Sequence, residues 1–94
     1  MLTLSPNQTI NVLAHTYELT GDEDVHDLLF SVNNDVTWTV TKTGLKTFSL
    51  RANTATEVDG ELYIRDAATA ALVHTEVIRI DDTTIAAVTL EILP

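Results

Sequence analysis

Acidic side chains dominate the residue types in this sequence that could do chemistry. Four carboxylates and one imidazole fall within Gly21–Asp27. Calcium takes about six to eight oxygen ligands, and Asp-rich loops between strands often supply them. Asp22, Asp24 and Asp27 are therefore calcium candidates, although the segment lacks the spacing of an EF-hand. The other interpretation is a solvated turn that caps a helix, because Asp and Glu favour the first helical turn.

Catalytic arrangements are not supported. No serine has the flanking glycines of a nucleophile elbow, and each histidine fits a half-exposed strand. The absence of cysteine excludes disulfides, thiolate catalysis and cysteine-ligated zinc. Fourteen acids bring some pair to glycosidase spacing by chance, but the short loops leave little room for a sugar cleft. We therefore predict a protein that is not an enzyme and has no cofactor other than possible calcium.

The charge distribution argues against nucleic acid and anionic membranes as partners. The formal charge is −9, and the first 41 residues contain six acids and no Lys or Arg. Three cations, Lys42, Lys46 and Arg51, gather in one segment, but we expect them to pair with acidic neighbours instead of following a phosphate chain. The chain has no apolar run of the roughly 20 residues that a membrane helix needs. Its first residues, Met1–Pro6, do not have the pattern of a signal peptide.

Two-residue periodicity is the strongest structural signal. Val36, Trp38 and Val40 alternate with threonines, which predicts a strand with one apolar face. Phe48 and Leu50 alternate with polar residues in the next run. Thr43-Gly44 lies between the two runs and offers a residue that tolerates positive φ, so residues 36–51 are predicted to form a hairpin.

Further strands are predicted on both sides of this hairpin. The pattern places them at Ile10–Val12, at Tyr17–Leu19 as a second strand or a continuation of the first, at Leu28–Val32, and at Leu62–Ile64 after an Asp59-Gly60 turn. It places two more at Leu72–Ile80, with a bulge or a change of exposed face near Glu76, and at Thr84–Leu93. Pro6 cannot donate a hydrogen bond, which puts its segment at a sheet edge. A short helix is expected at Asp22–Leu29, and a hairpin loop at Asp66–Ala71.

The fold class follows from the spacing of these strands. About seven or eight short strands, with turn signals every eight to twelve residues or so, are typical of an antiparallel β-sandwich of the Ig-like or jelly-roll type. The length of 94 residues gives one domain, residues 1–94, with an expected radius of gyration of roughly 12 Å.

The last predicted strand suggests an interface. Thr84–Leu93 is apolar on both faces for most of its length, whereas a strand of a thin sandwich normally has one wet face. Such a strand either lies at the centre of the fold or buries its outer face against a partner. The candidate interface residues are Ile85, Val88, Leu90, Ile92 and Leu93.

One segment is similar to a known family. Val32–Thr41 contains an Asn-rich turn followed by Trp38-Thr39-Val40, and in this it resembles Ig-like modules of the BACON type. The match covers about a tenth of the chain. The resemblance implies a β-sandwich of the kind found in multidomain secreted or phage-associated proteins, with a role in carbohydrate or surface contact.

A second resemblance is at the level of class. Small capsid-decorating (cement) and tail accessory proteins of tailed phages are short, all-β, often oligomeric and non-enzymatic, and this acidic, cysteine-free chain looks like them. It implies a virion protein that is assembled in the host cytoplasm and contacts a capsid surface or further copies of itself. The alternative is an Ig-like domain from a larger adhesin that binds carbohydrate or a cell surface outside the cell.

Overall fold

Seven β-strands form the framework of the protein. The computed structural model describes residues 1–22, 26–81 and 89–93, and within these ranges it contains no helix. The strands are β1 (Leu2–Leu4), β2 (Thr9–Leu13), β3 (Leu28–Val32), β4 (Trp38–Lys42), β5 (Thr47–Ala52), β6 (Val58–Asp66) and β7 (Leu72–Ile80).

The strands lie in two sheets, which confirms the predicted all-β, sandwich-like architecture. One sheet has the order β1-β7-β6-β3 and the other β2-β5-β4. All pairs are antiparallel except β1 and β7, which run parallel through Leu2–Leu4 and Ile78–Ile80. The turn around Pro6 carries the chain from β1 to β2, two edge strands, as the proline predicts.

The core is the layer of apolar side chains between the sheets, and alternation along each strand selects its members. Leu62 and Ile64 point inward from β6, while the intervening Tyr63 stays half-buried. The rings of Phe30 and Phe48 meet across the layer with their centroids 4.5 Å apart. The buried apolar residues are Leu4, Leu28, Trp38, Phe48, Leu50, Ala52, Leu62, Ile64, Ile78 and Ile80.

The predicted hairpin between residues 36 and 51 is present, with one change in its turn. β4 and β5 pair from Trp38 opposite Ala52 to Lys42 opposite Phe48, with threonines on the exposed face of β4. Gly44 does not adopt positive φ; Gly21 is the glycine that does so among the described residues. The turn is held instead by the Thr47 carbonyl, which accepts hydrogen bonds from the N–H groups of Thr43 and Gly44.

The turn before Trp38 is organised by one side chain. The Asn34 Oδ1 atom accepts hydrogen bonds from the N–H groups of Val36, at 3.0 Å, and Thr37, at 3.2 Å. The Asn34 carbonyl then accepts the N–H of Trp38. A short amide side chain can satisfy the backbone donors of a tight turn, and this Asx turn leads the chain into β4. Trp38, the first residue of β4, is buried there.

Three predictions of local structure are wrong. Asp59-Gly60 lies inside β6 and not in a turn, and Tyr17–Leu19 is not part of a strand. The expected helix at Asp22–Leu29 is absent as far as the structure describes it, since Leu28 and Leu29 begin β3; residues 23–25 lie outside the described ranges. The hairpin loop at Asp66–Ala71 is confirmed, with Ala70 at a φ of 59°.

The bulge predicted near Glu76 occurs three residues earlier. Ile64 pairs with His74 and Arg65 with Leu72, so Val73 is the extra residue on β7. Because of this register, His74 and Glu76 share the inward parity of Ile78 and Ile80. The predicted change of exposed face is therefore not needed: His74 and Glu76 are inward-facing residues at an open end of the sandwich.

The strand predicted at Thr84–Leu93 is absent over the part that the structure describes. Residues 89–93 belong to no strand, and residues 84–88 lie outside the described ranges. The chain leaves β7 at Ile80, where β1 already occupies the neighbouring edge of β7. The radius of gyration is 17.2 Å, well above the radius of gyration of roughly 12 Å expected for a compact domain of this length. The longest dimension is 67 Å.

We predict that Gly60 is required because Trp38 packs directly over it. A Cβ atom on Gly60 would lie 2.6 Å from the indole Nε1 atom. Gly60→Ala should therefore lower the free energy of unfolding by about 1–3 kcal/mol, the usual range for overpacking. The measurement is urea denaturation followed by fluorescence, because Trp38 is the only tryptophan.

Gly44→Ala is the matched control for this substitution. Its added Cβ meets the rotatable Thr47 hydroxyl, which can move aside. A loss of stability as large as that of Gly60→Ala would contradict the assignment.

Candidate protein interaction surface

An apolar cleft opens where β2 ends and β7 begins. Its volume is about 500 Å³. The core side chains Phe48, Leu62 and Ile64 line it, so one end of the layer between the sheets is accessible from outside. Leu13 and Val73 stand at opposite sides of the opening, and both are exposed.

The cleft exists because β1 is too short to cover β7. β1 pairs with Ile78–Ile80 alone, although β7 has nine residues. Within the described ranges, Leu72–Val77 is paired with β6 on one edge and with no strand on the other. N–H and C=O groups of this segment therefore face away from the sheet, with the bulge at Val73 and the inward-facing Glu76 as its only departures from a regular free edge among the described residues.

The rim of the cleft carries a small polar cluster on β7. Glu76 Oε2 lies 2.7 Å from the amino group of Met1, and Glu76 Oε1 lies 3.1 Å from the Nε2 atom of His74. These contacts, first the one with the amino group and then the one with His74, lower the pKa of Glu76 below its ordinary value of 4.5. The cluster thus places a carboxylate at the mouth of an apolar cleft.

Other charged residues are engaged in structural contacts. Arg79 forms a bidentate ion pair with Asp59, at 2.6 and 3.0 Å, which lowers the pKa of Asp59 and raises that of Arg79. Lys42 pairs with Asp27, as expected, and also donates to the carbonyl oxygens of Leu28 and Leu45.

The other two cations of the predicted cluster have no acidic partner among the residues that the structure describes. Arg51 donates to the carbonyl of Asn7 and to Thr9 Oγ1. The Nζ atom of Lys46 is buried and has no hydrogen-bond partner in the part of the chain that the structure describes. The expectation that all three cations pair with acidic neighbours therefore holds for Lys42 alone.

The calcium candidates are not assembled into a site by the described residues. Asp27 is held by Lys42, and Asp22 accepts a hydrogen bond from the Thr20 hydroxyl at 3.2 Å. Asp24 lies outside the described ranges. Within residues 1–22, 26–81 and 89–93, no three His, Asp or Glu side chains are grouped closely enough to hold a metal ion. Calcium binding at Asp22, Asp24 and Asp27 stays a prediction.

The described interface candidates are strongly exposed. The exposed fractions are 95% for Leu90, 97% for Ile92 and 78% for Leu93. Ile85 and Val88 lie outside the described ranges. The described part of the predicted interface thus presents large apolar side chains to water, which is unusual unless a partner covers them.

Sequence reasoning missed the cleft, although one signal pointed to it. The inward positions of β7 change from Ile78 and Ile80 to His74 and Glu76. A strand whose inward face turns polar toward one end indicates that the core stops there. The exposed Leu13 and Tyr17 could not be assigned to the rim without knowing how β2 is placed relative to β7.

Comparison of the chain with protein-family models, curated proteins and solved structures gave no match. The geometry therefore carries the interpretation. No helix within the described ranges has the length and apolar character to cross a membrane.

We predict that the Glu76 cluster contributes stability that is lost in acid. Because the pKa of Glu76 is lowered in the folded protein, its contribution is present above the ordinary pKa and disappears as the pH falls through the lower, folded value. Glu76→Gln should reduce stability near neutral pH by about 1 kcal/mol or less. This difference from the parent protein should shrink as the pH falls below about 4.5.

The measurement is thermal unfolding of both proteins across this pH range, with Glu91→Gln as control. Glu91 is exposed in the tail and makes no contact comparable to that of Glu76. A difference between Glu76→Gln and the parent protein that does not change with pH would contradict the prediction.

Proposed function

We propose that this protein is a non-enzymatic structural module of a virion, a capsid decoration or tail accessory protein that acts by protein–protein contact. The observation that carries the proposal is the coexistence of an open apolar cleft with exposed Leu90, Ile92 and Leu93. Among the described residues, more large apolar side chains are exposed than buried. A small sandwich that leaves so much apolar surface in water is suited to assembly.

The distribution of charge supports a protein partner. The net charge of −9 opposes binding to nucleic acid. Four of the five Lys and Arg residues donate hydrogen bonds within the described structure, so little basic surface remains for a phosphate chain. A capsid surface or further copies of this chain are the partners that we propose.

The Ig-like form of the sandwich is part of the proposal. In constant-type Ig domains one sheet contains strands B, E and D and the other C, F and G. The orders β2-β5-β4 and β3-β6-β7 correspond to these two sets, with the first strand on the outer edge of the last. The Asn34 turn before Trp38 supports the local resemblance to BACON modules.

The alternative is an Ig-like carbohydrate- or cell-surface-binding domain, and one ring favours it. Trp38 is buried and cannot stack on a sugar. Tyr17, in contrast, is exposed at the cleft. Glycan-array binding that Tyr17→Ala abolishes while thermal stability is retained would support this alternative over the virion role.

The proposed function predicts binding to capsids. The purified protein should co-sediment with capsids of the phage that encodes it and should saturate at a fixed number of copies. The double substitution Leu90→Asp/Ile92→Asp should weaken this binding at least about tenfold, because it places charge where apolar contact is proposed.

Val36→Asp is the matched control in the co-sedimentation experiment. Val36 is an exposed apolar residue in the turn before β4 and does not line the cleft. Failure of the parent protein to bind capsids would overturn the virion role.

A further inference from the structure

We propose that the segment Thr89–Leu93 of one copy adds as a strand to the free edge of β7, at Leu72–Val77, in a second copy. This inference rests on the proposed function, in which the module acts by protein contact, and names the partner and the contact. It joins two unpartnered features of the same chain: an uncovered strand edge and an exposed apolar segment.

The receiving edge has the length and chemistry that strand addition needs. Leu72–Val77 has six residues, and the segment Thr89–Leu93 has five. Main-chain hydrogen bonds from the free edge of β7 would hold the added strand, and a pocket for alternate side chains would select it. The cleft beside this edge, lined by Phe48, Leu62 and Ile64, is such a pocket.

The donor segment has the matching pattern. Leu90 and Ile92 are two residues apart, with Thr89 before them and Glu91 between them. In an extended strand, Leu90 and Ile92 would therefore point to the same face, over the open end of the core. Glu91 and Leu93 would point to the opposite face, so Leu90 and Ile92 are the side chains that the cleft receives.

A second copy, and not the same chain, is the donor that the geometry favours. Residues 89–93 are exposed and in no strand, and the chain leaves β7 beside the edge that β1 occupies. These five residues neither pair in their own sheets nor line their own cleft, which leaves both the segment and the cleft to a second copy.

The experiment measures self-association of the full chain without capsids. Light scattering during gel filtration should give a mass of two or more chains for the parent protein. Leu90→Asp/Ile92→Asp removes the donor, and Val73→Asp places a charge in the receiving cleft; each should weaken self-association at least about tenfold. Val36→Asp, the control at an exposed site that does not line the cleft, should leave it unchanged.

Mixing separates strand addition from a general effect on folding. The donor variant keeps an intact cleft and the cleft variant keeps an intact donor, so an equimolar mixture should form a two-chain complex that neither forms alone. Hydrogen exchange at Leu72–Val77 should be slow in the parent protein and in the mixture, and faster in each separate variant.

Each outcome decides the inference. A monomeric parent protein overturns it. If that monomer also shows slow hydrogen exchange at Leu72–Val77, the segment Thr89–Leu93 pairs with its own sandwich, and the inference is equally overturned. An oligomer that both variants retain also overturns it, and so does a mixture that stays monomeric. A monomer that still binds capsids would overturn this inference and leave the proposed function standing. An oligomer formed by strand addition that does not bind capsids would support this inference and overturn the virion role.

Discussion

The packing of Trp38 against Gly60 joins the two sheets and sets the position of the other elements. Trp38 begins β4 in one sheet, and Gly60 lies in β6 of the other. The indole fits because glycine has no side chain, with Nε1 only 2.6 Å from where a Cβ atom would be. Leu4, from β1, belongs to the same buried cluster. This end of the sandwich is therefore closed by one large ring and by the short strand that covers Ile78–Ile80.

The opposite end has no comparable closure. Phe48 and Ile64 form the end of the layer, and the next inward positions of β7 are His74 and Glu76. A polar side chain at such a position requires partners or water. Glu76 obtains partners from His74 and from the amino group of Met1, which holds the carboxylate at the rim of the cleft. The polar cluster and the apolar cleft are thus two consequences of one short edge strand.

The sequence predicted the elements whose residues all contact near neighbours in the chain. The hairpin of β4 and β5 could be predicted because its threonine and apolar alternation and its turn are local. The pattern predicts a turn at Asp59-Gly60, but the reason for this glycine is Trp38, which is 22 positions away in the sequence and in the other sheet. The cleft could not be predicted for the same reason: it depends on how far β1 extends along β7, and that pairing joins opposite ends of the chain.

The same distinction applies to Thr84–Leu93, whose apolar character can be read from the sequence while its place in the fold cannot. A run that is apolar on both faces indicates that a segment favours burial, but which edge or face is open to it is a property of the assembled sheets. Here β1 has taken the part of the β7 edge beside the chain exit, and the part left open lies at the far end of the strand. The described part of the segment, residues 89–93, pairs with neither edge. Natural sheets usually block such edges with charge, proline or a covering element. The Leu72–Val77 edge carries two further devices of this kind, the bulge at Val73 and the inward-facing carboxylate of Glu76. Any strand that adds here must therefore follow the bulge and leave Glu76 with its partners.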